Sequence, residues 1–281
     1  MIERRPILDL IGHLVLFLGV LIVAFPLYVA FVASSQTSDQ AQMAPISLIP
    51  GDQLVNNFSA VLFAKEGSGI GSVGRMMWVS LVTALVIAVG KITISMLSAF
   101  ALVYFRFPMR NWFFWLIFLT LMLPVEVRIT PTYKVVSDLG MLNSYAGLTI
   151  PLIASATATF LFRQFFLTIP EELAEAARID GAGPIRFFKD VVWPLSRTNV
   201  LALFVIMFIY GWNQYLWPLL IATDQSMYSM GIGIKRQIAG GDAGIEWNLV
   251  MATVILTMLP PGLVVVLMQR WFIKGLVDSE K

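Results

Sequence analysis

MWVSLVTALVIAVGKITISMLSAFALVY, residues 77–104, is the run that decides the fold class, and Lys91 is its one charged residue. An α-helix rises 1.5 Å per residue, so roughly 20 apolar residues cross a hydrocarbon core of about 30 Å. Lipid offers no partner to backbone N–H and C=O groups, so a run of this kind must be helical. Similar runs lie on both sides, at about 10–32, 112–130, 145–167, 199–222 and 249–272. Six spans are therefore expected, in a single transmembrane domain covering residues 1–281.

The composition agrees with this reading. The chain is 58% hydrophobic and 13% charged, with mean hydropathy +0.81. A soluble domain carries about 25% charged residues, because its surface must face water. The first apolar run exceeds the roughly 7–15-residue core of a secretory leader and ends without an A-x-A site, so it reads as a retained helix. With no Cys and a single His, disulfide frameworks and thiolate metal sites are excluded and a zinc site is disfavoured.

Lys and Arg set the orientation. Starting the chain in the cytoplasm puts twelve of the nineteen in inside segments and six in outside segments, with Lys91 in a span. The positive-inside rule then predicts both termini in the cytoplasm, which an even number of spans also requires. The first outside loop, about 33–75, is long enough to hold short structure. The second inside loop, about 168–195, is the longest on its side.

That inside loop reads TIPEELAEAARIDGAGPIRFFKDVVWPL from Thr168. Thr168 with Glu171 fits a capping box, and Pro170 sits in the first turn. Glu171, Glu172 and Glu175 place negative charge near the positive end of the helix dipole. Gly181 is suited to end this helix in the left-handed conformation. After Gly183-Pro184, the spacing of Ile185, Phe188 and Val192 predicts a second short amphipathic helix, ended by Pro194. A short helix with small residues at Ala176 and Ala177 fits a partner's groove. An interfacial helix resting on lipid is the plainer alternative, though its acidic first turn suits anionic lipid poorly.

Glu175-Ala176-Ala177, Gly181 after three residues and Pro194 at the far end resemble the EAA loop of permeases of binding-protein-dependent ABC importers. Val191 and Trp193 stand where that pattern usually has Ile and Leu. IPEELAEAARIDGA, GWNQYLWPLL and the closing RWFIKGLV are similar to the carbohydrate-uptake branch, and the likeness runs along nearly the whole chain. The resemblance implies a type I importer permease fold with a cytoplasmic helix-turn-helix coupling loop. It implies that Glu175, Ala176, Ala177, Asp180, Gly181, Ala182 and Pro194 meet an ATPase. It further implies an inner-membrane location and a heterodimer with a second permease subunit. Two ATPase subunits that bind ATP and Mg, and a periplasmic solute-binding protein, complete the assembly. This chain would hold no cofactor and bind no nucleic acid. The overall likeness implies sn-glycerol 3-phosphate as cargo, with related phosphodiesters; a sugar or oligosaccharide is the alternative.

Other signals are local. Lys91 within a span carries an insertion cost of about 2.5–3.5 kcal/mol, so it should face the bundle or water. It suits an anionic substrate such as a phosphate ester, although structural pairing within the complex, or snorkelling, is the simpler account. Trp212, Asn213, Gln214 and Tyr215 interrupt the fifth span, where amides line a pathway or bond a neighbouring helix. Trp217 and Pro218 read as interfacial anchor and exit, and Glu126, Arg128 and Lys134 as a solvated outer loop. Pro26, Pro124, Pro131 and Pro151 bend or end helices. GIGSVG at Gly69–Gly74 matches a dinucleotide pattern but lacks the strand that pattern needs, and no G-x-x-x-x-G-K-[ST] loop occurs. ATP hydrolysis must then belong to another chain. An ion-coupled carrier would need acids centred in the spans, and a membrane enzyme would need clustered His, Cys or carboxylates. Neither pattern is present.

Overall fold

The structure, a computed structural model, describes residues 6–64, 72–122, 125–239 and 244–277. Among them every regular element is helical. In chain order these are α1 (Pro6–Ser34), α2 (Ser38–Gln42), α3 (Leu54–Leu62), α4 (Val73–Tyr104), α5 (Arg110–Met122), α6 (Val125–Asp138) and α7 (Tyr145–Thr149). They continue with α8 (Ala156–Leu167), α9 (Glu171–Ile179), α10 (Pro184–Phe187), α11 (Trp193–Trp212), α12 (Leu216–Ile221), α13 (Met230–Ala239) and α14 (Trp247–Val277).

Four helical stretches among the described residues are long and apolar enough to cross a membrane: Leu10–Ser34, Val73–Tyr104, Pro184–Trp212 and Trp247–Arg270. Two further pieces, Tyr145–Leu152 and Ala156–Leu167, bent by 47°, are long and apolar enough only together, as a broken span or a re-entrant loop. Pro151, in the 3-10 turn Ile150–Leu152, supplies the break. The expected span at 112–130 is covered by α5 up to Met122 and by α6 from Val125, and residues 123–124 lie outside the described residues. Pro124 and the structure of residues 65–71, with the first half of the GIGSVG motif, lie outside the described residues, as does the Glu126 side chain. Arg128 and Lys134 belong to α6 rather than to a loop, and both are exposed.

The chain divides into two compact units, Met1–Gly74 with Gly233–Leu259, and Arg75–Ile232 with Pro260–Lys281. In the first, most of α1 is uncovered, and order concentrates after its C-terminal end. Ser35, Gln36 and Asn57 are buried there. Gln36 Nε2 donates to the carbonyls of Ser47 and Ile49, each at 3.2 Å. Asn57 Nδ2 donates to the carbonyls of Ser34 (2.9 Å) and Gln36 (2.8 Å), and Asn248 Nδ2 to Asn57 Oδ1 at 3.1 Å. Amides hold the loop after α1 because it buries polar backbone that must be paired.

In the second unit α4 is the central helix, half of it buried. It meets α11 closely, since a Cβ on Gly211 would lie 2.9 Å from Ala84 Cα. Ser95 Oγ donates to the Ser155 carbonyl at 3.1 Å, tying α4 to the break before α8. At one end of the unit Val79, Val136, Leu148, Trp217 and Ile221 form a buried cluster. Trp217 Nε1 donates to the Gly147 carbonyl at 3.0 Å. The expected interfacial anchor is therefore a core residue: its apolar ring fills the cluster and its one donor is satisfied there.

Candidate functional site

The loop from Thr168 folds as a helix, a glycine turn and a second helix. Its details differ from the expectation at both ends. Thr168 makes no capping box. It ends α8 and its hydroxyl donates to the Phe165 carbonyl at 2.7 Å, while Pro170 stands at the N-cap of α9 without a side-chain bond. The acidic first turn, Glu171 and Glu172, still complements the helix dipole.

The C-terminal end of α9 is closed as expected. Gly181 has φ +71°; its N–H donates to the Arg178 carbonyl at 3.1 Å and the Ala182 N–H to the Ala177 carbonyl at 2.8 Å. These paired bonds define a Schellman motif, in which the residue after the cap must take the left-handed conformation. Asp180 is the C-cap, and its own N–H donates to the Ala176 carbonyl at 3.0 Å.

The second helix is not short. α10 passes through a π-turn, Phe188–Val192, directly into α11, giving one helix over Pro184–Trp212. Pro194 does not end it. In the π-turn the Trp193 N–H reaches back to the Phe188 carbonyl. The pairing has shifted by one residue there, and Pro194 follows at the start of α11, where its missing N–H is least disruptive. Ile185 also departs from the expected buried face: Phe187 and Val192 are buried, whereas Ile185 is 84% exposed.

The turn stands clear of its own unit. Glu175, Ala176, Asp180, Gly181 and Pro194 are exposed; Ala177 and Ala182 are half-buried. Ile179, 86% exposed, flanks the turn with Ile185. Large apolar side chains held out beside a polar turn suit a partner's surface. Behind them lies a cleft of about 180 Å³ lined by Ala174, Ala177, Arg178, Ala182 and Phe187 of the loop and by Phe100 and Tyr104 of α4. Phe187 packs edge-on against Tyr104, centroids 5.0 Å apart, and Phe188 against Phe100, also at 5.0 Å. The Tyr104 hydroxyl donates to the Phe166 carbonyl at 3.3 Å. This aromatic seat joins the loop to α4 and α8. Sequence reasoning passed over Phe100, Tyr104 and Phe166, although Phe100 and Tyr104, one helical turn apart, were a usable signal.

The residues expected along a pathway fall on α4 and the end of α11. Trp212 is buried and stacked on Phe208 at 6.1 Å, and its Nε1 has no hydrogen-bond partner among the described residues. Asn213 is the exposed C-cap of α11, and Gln214 Nε2 turns back to the Tyr210 carbonyl at 3.1 Å. Lys91 is 7% exposed, its Nζ 3.8 Å from the centroid of the Tyr210 ring. No described hydrogen bond joins Lys91 to Trp212, Asn213 or Gln214.

Residues 91–278 match the family described as the binding-protein-dependent transport system inner membrane component. The chain is 64% identical to the sn-glycerol-3-phosphate transport system permease protein UgpE of Brucella melitensis, with all of both chains covered. Its counterparts of the same name in Agrobacterium fabrum and Yersinia enterocolitica are 61% and 62% identical, again over the whole of both chains. A bacterial ABC transporter that imports the acidic polysaccharide alginate shares the fold. The TM-score is 0.79 at 21% identity, covering 97% of this chain and 99% of that one.

Proposed function

The chain belongs to the inner-membrane components of binding-protein-dependent transport systems, and from that membership we propose that it lines half of the path by which an ATP-driven importer admits sn-glycerol 3-phosphate. The observation that carries the cargo is identity of 60–64% along whole chains to relatives named for that transport. The observation that supports the mechanism is the exposed Schellman turn at Gly181, seated by Phe187 and Phe188 on α4 and continuous with α11.

In this reading a separate ATPase subunit grips Glu175, Ala176, Ala177, Asp180, Gly181 and Ala182, with Ile179 and Ile185 filling apolar hollows on its surface. Movement of that subunit pushes on two structures at once. The aromatic seat passes the push to α4, and the helix running through Pro194 passes it to the Trp212–Gln214 break. A second permease subunit completes the path and a solute-binding protein delivers cargo from outside. The chain itself breaks no covalent bond. Both termini lie in the cytoplasm in this reading, which is supported by the twelve of nineteen Lys and Arg residues that such an orientation puts in inside segments.

The complete complex in lipid vesicles tests this. Uptake of radiolabelled glycerol 3-phosphate should need ATP on the side of the ATPases and persist after an uncoupler collapses the proton gradient. Uptake that stops with the uncoupler while ATP is held constant refutes the ATP-driven mechanism. Uptake of a neutral sugar in place of glycerol 3-phosphate refutes the cargo.

A further inference from the structure

Lys91 has a setting that its fold does not explain. It lies near the middle of α4, is almost fully buried, and has the face of Tyr210 as its close partner, 3.8 Å away. Among the described residues no carboxylate pairs with it. A buried charge is normally paired, and one inside a membrane that lacks a pair marks a pathway rather than a joint. A buried ammonium that rests on a ring face, with no carboxylate beside it among the described residues, is available to an anion that reaches it.

The geometry points to Lys91 as the group that selects a phosphate monoester during passage through this subunit, Tyr210 holding the ammonium until the cargo arrives. The inference rests on the glycerol 3-phosphate reading and adds a residue that discriminates by charge. A phosphate monoester carries about −1.5 to −2 charge near neutral pH and accepts hydrogen bonds on three oxygens. Lys91 has three N–H donors, and a ring face gives up an ammonium readily to such an acceptor. Glycerol and neutral sugars offer the same hydroxyls without the charge. They would leave Lys91 on its ring.

The test uses the complete importer in vesicles, measuring initial uptake of glycerol 3-phosphate against its concentration, with thermal unfolding of the same preparations. Lys91→Met should raise the half-saturating concentration roughly tenfold or more, the range expected for losing a charge-assisted bond. Lys91→Arg should recover most of that loss. Because the buried ammonium has no described carboxylate beside it and rests on a ring that Met can also cover, Lys91→Met should melt at the wild-type temperature or above it. A purely structural lysine predicts the reverse, and a lowered melting temperature in Lys91→Met therefore overturns the inference. So does a half-saturating concentration within twofold of wild type. A wild-type complex that carries a neutral sugar and no glycerol 3-phosphate sinks the cargo reading, and this inference falls with it. Uptake by wild type that is indifferent to Lys91→Met sinks the anion role alone.

Discussion

Gly181 is held at φ +71° by the turn it makes and not by crowding, since a Cβ there would meet nothing within 4 Å. A side chain in the left-handed region costs about 1–2 kcal/mol, except that Asn tolerates it better. Gly181→Ala should therefore loosen the Schellman turn by about 1 kcal/mol, and Gly181→Asn by less. Hydrogen exchange at the Ala182 amide reads this directly, because that N–H closes the motif on Ala177. The Ala variant should exchange roughly fivefold faster, as 1 kcal/mol implies at RT of about 0.59 kcal/mol; an unchanged rate means the turn is not strained by a side chain. Asp224 offers a different residue-level test. Its carboxylate accepts the Ser226 N–H at 2.8 Å, and that bond, helped by the nearby Arg75 cation, holds the carboxyl below its ordinary range. A depressed folded value stabilises the turn above the unfolded value and loses that contribution as pH falls through the folded one. From about pH 5 to 8 this carboxylate should therefore leave the 222–229 turn unaffected, with loosening only at lower pH and abolished in Asp224→Asn. Limited proteolysis by an acid-active protease between pH 6 and 3 checks it. Opening already above about pH 5 contradicts the assignment.

At the scale of elements the decisive contacts are the aromatic seat and the α4–α11 approach. Phe187→Ala removes a buried ring that touches Phe100 and Tyr104, a change that costs about 3–5 kcal/mol in a packed site. The expected outcome is ATP hydrolysis with severalfold less uptake per ATP, because the loop stays on the ATPase but no longer pushes squarely on α4. Ile185→Ala, at an exposed position, should change intrinsic stability by less than about 0.5 kcal/mol and act instead on ATPase retention. Equal uptake per ATP in Phe187→Ala and wild type refutes the aromatic linkage. Gly211→Ala places a methyl group against Ala84 backbone, where overpacking costs about 1–3 kcal/mol, and thermal unfolding should report a loss in that range. The sequence was readable at this scale wherever the controlling chemistry is local. Span length comes from hydropathy, and the Gly181 turn from a residue type that alone suits its backbone. The passage of α10 into α11 was not readable, because a π-turn changes hydrogen-bond register without a change in composition. Trp217 was misread for a related reason: an interfacial and a buried tryptophan look alike until Gly147 is seen to accept its N–H. Lys91 on Tyr210 joins residues far apart in the chain, so no spacing rule finds it.

For the whole molecule, the open question is which face meets which side of the membrane, and the composition supplies a clean way to ask. The chain has no Cys, so one introduced thiol reports alone. Nearly all of α1 is apolar and uncovered by its own unit, as lipid or a partner subunit requires of a span. Two positions discriminate the sides. Ile185, 84% exposed, stands beside the coupling turn, and Ile49, 76% exposed, stands on the loop after α1. Ile185→Cys should react with a membrane-impermeant maleimide only from the cytoplasmic face, and bound ATPase subunits should shield it. Ile49→Cys should react only from the opposite face, with or without the ATPases. The two results are coupled by the expected topology: three of the six expected spans, 77–104, 112–130 and 145–167, separate the two positions, so reversing one label should reverse the other. Labelling of Ile185→Cys from outside, or equal labelling with and without ATPase subunits, would separate the Gly181 turn from any motor and leave α4 and α11 with nothing to move them.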